Sequence, residues 1–314
     1  MSDKLQPLLS ICIPTYNRAE VLKKTVKELL SLEAFDSEVE LIVSDNASID
    51  NTQEVVNELI NYYKYKRIKY HKNSSNIRDL NFYTALSLGT GKYLKLLNDY
   101  TFVDNDILLL LKRMIKENEN NETPLLFYGN LREKGLKIGD AICVYNIDKF
   151  QRCVNNKVTW ISHFGCWRKD LLKIKKFNGN SNLQLLQMEW TLYLVENSDF
   201  TKIVNIYYKC FPLDQGKRSP YNFFTPHVVN YYKILNWYKN NKKISRNTIA
   251  FDKQRILSDF VGNKIVEYLI LKQQNDFYLD GSWSIIIKHF YRVPYFYFLL
   301  LKGFLRKIKR EVIR

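Results

Sequence analysis

What this chain most plainly lacks is a long hydrophobic run. Its most apolar stretch near the C-terminus, Val293 to Leu301, falls far short of the roughly 20 residues that a bilayer-spanning helix needs. No transmembrane anchor is expected. The opening MSDKLQPLLSICIP has no basic segment followed by a long apolar core, the pattern of an export signal, so the protein is expected to stay in the cytoplasm. Paired cysteines are missing too. Cys12, Cys143, Cys153, Cys166 and Cys210 are odd in number, show no Cys-x-x-Cys spacing and sit mostly in apolar runs; they read as reduced core residues. Together with four histidines they form no zinc-like spacing. No Ser-His-Asp set, no G-x-x-x-x-G-K-[ST] phosphate loop, no helix-turn-helix, RNP-like or zinc-finger signature, no solenoid repeat and no low-complexity linker is present.

What is there is a chain of 314 residues, 46% of them hydrophobic, enough for one large core or two modest ones and against disorder. Lysine and arginine exceed the acids to give a formal charge of +16, with an isoelectric point near 9.4. An anionic partner follows, and nucleic acid, anionic lipid and phosphorylated small molecules all qualify.

The first third repeats one pattern. Leu8 to Ile13 is a nearly continuous apolar run ending at Pro14, as a buried parallel strand does on entering a loop, and Arg18 to Leu32 carries Val21, Leu22, Val26, Leu29 and Leu30 at helical spacing. The pattern recurs with Val39 to Val43 and Thr52 to Tyr63, with Ile68 to Tyr70 and the helix through Leu80, Tyr83 and Leu86, and with Tyr93 to Leu97 and the helix from Asp104 to Lys116. Four strand-helix units predict a parallel, doubly wound Rossmann-like α/β sheet. Ligands of such sheets bind beyond the carboxyl ends of the strands, so the loops at Pro14 to Arg18, Asp45 to Asp50 and Asn98 to Thr101 are expected to share one crevice. Beyond Leu125 come short strands, Leu125 to Tyr128 and Ala141 to Tyr145, a helix from Gln184 to Glu196 and a strand from Lys202 to Tyr208. From about Gly216 the pattern is helical, with His227 to Tyr238 and Thr248 to Leu271 the clearest stretches. The expected division is an α/β domain over 1–215 and a helical region over 216–314.

Ile11-Cys12-Ile13-Pro14-Thr15-Tyr16-Asn17-Arg18, followed by Ile42-Val43-Ser44-Asp45-Asn46-Ala47-Ser48-Ile49-Asp50, then Asn81, Gly91-Lys92-Tyr93 and Leu97-Asn98-Asp99, resembles in order and spacing the family 2 glycosyltransferases. The resemblance covers roughly the first 110 residues. It implies a GT-A fold, a nucleotide-diphosphate sugar donor and an inverting transfer. It places the donor against Pro14, Tyr16, Asn17, Arg18, Asp45, Asn98 and Asp99, with Asp45 accepting hydrogen bonds from the base or ribose; the competing reading of Asp45 is an Asx-turn or helix cap. Arg78 either reaches the base or diphosphate or is a solvated first-turn arginine. The family usually carries an Asp-x-Asp after the fourth strand, binding a divalent cation, Mn2+ or Mg2+, that bridges the donor diphosphate. Here Asn98, Asp99, Tyr100 and Thr101 stand in its place, so Asp99 is the one metal ligand expected and the metal site is weakened, rearranged or absent. Asp104-Asn105-Asp106 fits the pattern literally but opens a helix, where acids cap.

Gln187-Met188-Glu189-Trp190-Thr191-Leu192 is similar to the family's acidic patch before an aromatic helix, which nominates Glu189 as the base for the acceptor hydroxyl; the alternative is a polar position on an amphipathic helix. Trp160, His163 and Trp167 are expected on the acceptor wall, or else in the core. The resemblance further implies a glycan or polyprenyl-diphosphate-linked acceptor in cell-surface polysaccharide synthesis. Trp283 to Arg314 mixes aromatic and aliphatic residues with Lys302, Arg306, Lys307, Lys309 and Arg310, the composition of an interfacial segment, broken in two at Pro294. It is expected to dock on the anionic inner face of the cell membrane. A catalytically degenerate scaffold at the membrane and a basic nucleic-acid-binding protein are the rival readings; no nucleic-acid partner is expected.

Overall fold

The computed structural model describes residues 6–120, 123–129, 131, 135–177, 179–213 and 221–312. The chain divides into two units, Met1–Asn146 with Trp160–Ser181 and Leu186–Leu213, and Ile147–Thr159 with Asn182–Leu185 and Asp214–Arg314. The sequence boundary at 215 falls outside the described residues.

The first unit opens with β1 (Leu9–Thr15), α1 (Ala19–Ser31), β2 (Val39–Asp45), α2 (Thr52–Tyr62), β3 (Arg67–Lys72), α3 (Leu80–Leu88) and β4 (Tyr93–Leu96). After a short β5 (Thr101–Phe102) come α4 (Asn105–Asn118), β6 (Leu125–Gly129) and β7 (Ala141–Val144). The helix α5 (Ile147–Val154) belongs to the second unit; the first resumes with β8 (Gly165–Trp167), α6 (Leu171–Phe177), α7 (Leu186–Glu196), β9 (Thr201–Ile206) and β10 (Lys209–Cys210). The central sheet runs β3-β2-β1-β4-β8. Its first four strands are parallel and β8 joins β4 antiparallel. A smaller sheet, β6-β9-β7, and a two-stranded ribbon of β5 with β10 complete the unit.

Period-two alternation sorts the side chains of the sheet into two layers. Leu9, Ile11, Ile13, Leu41 and Val43 pack with Val26 and Leu29 of α1, Val55 and Leu59 of α2, and Ile107 and Leu111 of α4. Cys12, Ile42, Leu94 and Leu96 face the other way, onto Ala85 and Leu86 of α3, Ile174 of α6, and Leu186, Trp190 and Leu194 of α7. Each aliphatic side chain so buried stabilises the fold by about 1.5–3 kcal/mol. The Gly91-Lys92-Tyr93 motif has a steric reason. A Cβ on Gly91 would lie 2.7 Å from the Ser10 backbone nitrogen, and its own N–H donates to Ser10 Oγ at 2.8 Å and to the buried Glu40 carboxylate at 3.1 Å.

The second unit is helical: α5, α8 (Tyr231–Asn240), α9 (Arg246–Asp259), α10 (Val261–Lys264), α11 (Ser282–Phe290) and α12 (Pro294–Val312), with π-helical turns at Thr225–Asn230 and Ile265–Ile270. At its centre the Asp252 carboxylate accepts from Gln151, Asn155, Tyr231 and Tyr232 at 2.7–3.0 Å. Burial raises its pKa to about 6. The helix expected from Thr248 to Leu271 is interrupted at Phe260, whose backbone leaves helical angles while its ring packs on Phe223 and His227. Helix α12 has two faces. Phe296, Leu299 and Gly303 are buried, and a Cβ on Gly303 would lie 2.6 Å from Ile270. Tyr297, Leu301, Phe304, Leu305 and Ile308 are exposed. Among the described residues no helix is long and apolar enough to cross a membrane.

Candidate functional site

Strands β1, β2 and β4 end at Thr15, Asp45 and Leu96, and the loops that follow them meet at one edge of the sheet. Three non-glycine residues in the loops after β1, β2 and β3, Asn17, Ala47 and Arg78, adopt left-handed φ of 53°, 64° and 52°. Such strain persists only where neighbours over-determine the backbone, and the hydrogen bonds supply that constraint. Asn17 N–H donates to Ser48 Oγ at 2.8 Å, and Asn17 Oδ1 accepts from the N–H of Ile49 at 2.8 Å. Asp50 accepts from the N–H of Ala19 and of Thr52, fastening the starts of α1 and α2. Asn46 bonds Asn73, Asn76, Ile77 and the carbonyl of Arg78, which sets the exposed Arg78 beside the second loop.

Asp99 is the pivot of the crevice. It is 3% exposed; Thr15 Oγ1 donates to one carboxylate oxygen at 2.9 Å and Arg18 Nη1 to the other at 3.0 Å. Burial pushes its pKa up against the opposing pull of Arg18 and Thr15. The Arg18 side chain is 45% exposed and lies 5.9 Å from the centre of the Tyr100 ring, whose hydroxyl accepts from Trp160 Nε1 at 3.3 Å. Asn98 donates from its backbone N–H and from Nδ2 to Ser162 Oγ at 2.9 and 3.0 Å. Tyr16, 43% exposed, and Pro14, buried in β1 opposite Ser44, complete this edge.

Asp45 lies at the same edge with no exposed surface. Its Oδ1 accepts from the N–H of Ser48 and its Oδ2 from Tyr70, both at 2.8 Å. The carboxylate therefore braces the second loop in a cap-like turn, bonding the N–H three residues on, and is itself fully buried. Asp104 caps α4 by accepting from the N–H of Ile107 at 3.1 Å, the capping role weighed for Asp104-Asn105-Asp106.

The three aromatic candidates part company. Trp160 is half-buried beside Tyr100. His163 is 4% exposed, accepts from the N–H of Gly129 at 3.0 Å and stacks on Tyr128, a satisfied core histidine. Trp167 is not brought to the crevice. Because β8 runs antiparallel, Trp167 sits opposite Tyr93 at the start of β4, about 20 Å of strand from Asp99, and bonds the carbonyl of Thr123. Glu189 on α7 is half-buried and accepts from the N–H of Asn180 at 2.7 Å; burial raises its pKa. Sequence reasoning missed Thr15, Ser48, Tyr100 and Ser162. Ser48 alone had a local signal, standing three residues after Asp45, the spacing at which a capping carboxylate reaches a backbone N–H.

A mostly parallel sheet with polar loops gathered beyond the carboxyl ends of its strands is an α/β fold of the GT-A kind. The profile described as Glycosyl transferase family 2 matches residues 10–173, and the chain belongs to that family. Among curated relatives it is 32% identical over 148 residues to abequosyltransferase RfbV of Salmonella typhimurium, covering 44% of each chain. It is 26% identical over 178 residues to the GalNAc(5)-diNAcBac-PP-undecaprenol beta-1,3-glucosyltransferase of Campylobacter jejuni, covering 55% of each. The chain thus spans about half the length of these relatives. Among solved structures, S. aureus TarS 1-349 in complex with UDP-GlcNAc aligns with a TM-score of 0.55 at 16% identity, over 95% of this chain and 89% of that one. GalNAc-T7 with UDP, GalNAc and Mn2+ aligns at 0.52 and 13% identity, over 82% and 53%. Identities this low carry the fold alone.

Proposed function

We propose that this protein is an inverting glycosyltransferase that moves a sugar from a nucleotide-diphosphate donor to a hydroxyl of a glycan or lipid-linked oligosaccharide in cell-surface polysaccharide synthesis. The observation that carries the reading is the junction of the loops after β1 and β4 at Asp99 and Arg18, tied to the loop after β2 through Asn17. Tyr16, Asn17, Arg18, Asn98 and Asp99 line the donor side, with Pro14 and Asp45 holding the loops and Arg78 at the margin. The relatives lend support, one acting by its name on an undecaprenol-linked acceptor and one structure holding UDP-GlcNAc.

In this reading Glu189 takes the proton of the acceptor hydroxyl as that oxygen attacks the anomeric carbon. The bond from that carbon to the phosphate oxygen breaks, and its electron pair leaves with the nucleoside diphosphate. A carboxylate whose pKa burial has raised is the better base. Trp160 offers a ring to the acceptor, with the buried His163 behind it; Trp167, at the opposite end of the sheet, takes no part in that wall. The divalent cation implied by the resemblance has Asp99 as its one candidate ligand, and Mn2+ accompanies UDP in the GalNAc-T7 structure.

The exposed face of α12, with Lys302, Arg306, Lys307, Lys309 and Arg310, suits the anionic inner surface of a membrane, each basic residue there contributing about 1 kcal/mol. Incubation with a panel of nucleotide-diphosphate sugars and lipid-linked acceptors tests the whole reading. Transfer with inversion at the anomeric carbon supports it; binding without transfer leaves the scaffold reading, and retention of configuration refutes the role of Glu189.

A further inference from the structure

An Asp-x-Asp site offers a divalent ion two carboxylates, and the residues gathered here do not fit such an ion. Tyr100 and Thr101 carry no carboxylate. Thr101 is fully buried and paired to Cys210 in the ribbon of β5 and β10. Asp99, the one acid left, already has each oxygen within 3.0 Å of a protein donor, and one of those donors is a guanidinium. A doubly charged ion on Asp99 would have to displace or abut the positive Arg18. Among the described residues no three His, Cys, Asp or Glu side chains gather where a metal ion could sit.

We propose that Arg18 takes the place of the metal: its guanidinium, aimed by Asp99 and backed by the Tyr100 ring, is the cation that receives the donor's diphosphate, and donor binding needs no divalent ion. The proposal rests on the donor-crevice reading above. The charge balance supports it. Two carboxylates with one divalent ion sum to zero, and so do one carboxylate with one guanidinium, so the site loses an acid and a charge together. The geometry suits the task as well. Asp99 is buried whereas 45% of the Arg18 side chain is exposed, so the anchor lies inside and the cation faces the crevice. A planar guanidinium bonds phosphate oxygens in pairs while keeping a carboxylate contact. Its position as the residue preceding α1, a helix of 13 residues, adds the positive end of a helix dipole. The leaving group is then a nucleoside diphosphate whose developing charge is met by a fixed side chain.

The test uses the full chain and calorimetric titration with UDP, GDP, CDP and dTDP, each in excess EDTA and again with Mn2+. For whichever diphosphate binds, the expected dissociation constants agree within about twofold with and without metal. Arg18→Ala combined with Asp99→Asn, which avoids leaving a buried carboxylate unpaired, weakens binding of that diphosphate by about 30-fold or more, while binding of the matching nucleoside changes little. Arg18→Lys keeps the charge and loses less. A loss of tenfold or more in EDTA that Mn2+ restores overturns the proposal while leaving the donor crevice intact. Equal loss of nucleoside and diphosphate binding in the double variant also overturns it. Failure of all four diphosphates under both conditions removes the donor reading itself.

Discussion

The ammonium of Lys95, wholly buried in β4, is held on the backbone carbonyl of Ser162. It also bonds the carbonyl of Phe164 at 3.3 Å and lies 5.4 Å from the centre of the Tyr208 ring. Together with the N–H of Leu96, which donates to the carbonyl of Phe164 at 3.1 Å, this side chain ties the fourth strand to the 162–164 segment, which in turn presents Ser162 Oγ to Asn98.

Burial lowers the Lys95 pKa to about 7. Between that value and the ordinary lysine range the unfolded chain binds a proton that the folded chain does not, so stability rises with pH across that window. Below pH 7 both states are protonated and the dependence vanishes. Urea melts from pH 6 to 10 should show the stability of the wild type climbing relative to Lys95→Met, with a slope of at most about 1.4 kcal/mol per pH unit. A pH-independent difference between the two proteins refutes this.

Asp45→Ala strips partners from Ser48 N–H and Tyr70 and should cost about 1–3 kcal/mol of stability, the penalty of one orphaned buried group, since Ser48 is buried while the partly exposed Tyr70 can turn to water. Because the same loop interlocks with Asn17, nucleotide affinity should fall by at least about tenfold. Calorimetry on the folded variant checks this. Unchanged affinity would dissociate the second loop from the donor.

Glu189→Gln should lower turnover about 100-fold or more while donor affinity stays within about twofold, as loss of a general base does. The wild-type rate should fall as pH drops through a pKa lying above the ordinary glutamate value, because the protonated acid cannot accept a proton. That acid limb should be missing from the residual activity of the Gln variant. Rates at a series of pH values with saturating donor decide the matter.

For membrane docking, charges placed on the open face of α12 are a cleaner probe than truncation, because removing α11 and α12 would also remove the buried Phe290, Phe296 and Leu299. Leu301→Glu with Leu305→Glu should abolish flotation with anionic phosphatidylglycerol vesicles and leave the melting temperature unchanged. The wild type should float at low salt and dissociate at high salt. Equal flotation of both proteins would eliminate the docking role.

The strand-helix units were legible because β1, β2 and β4 are buried along their length and mostly apolar and the helices keep a 3.6-residue period, signals that need only neighbouring residues; the partly exposed β3 showed only as the short run Ile68 to Tyr70. The same signals failed where tertiary contacts decide. The strand β8 is three residues long, and only its pairing with Tyr93 to Lys95 reveals that it runs antiparallel and carries Trp167 to the far end of the sheet. The ribbon of β5 with β10 joins pieces of two residues that lie more than a hundred positions apart. The break at Phe260, whose ring packs on Phe223 and His227, is a position that no helical period records. In the crevice, the motif pointed to Asp99 and Arg18 as separate donor contacts; that they bond one another depends on α1 starting directly beside the end of β4.

The reciprocal bonds between Asn17 and the Ser48 to Ile49 turn also bear on how this edge breathes. Neither loop can lift without breaking the other's hydrogen bonds, so the two open together or not at all. Slow amide exchange should therefore report one shared opening free energy for Asn17, Ser48 and Ile49. Ile49 is 90% exposed, so protection of its amide would come from the crosslink and not from burial.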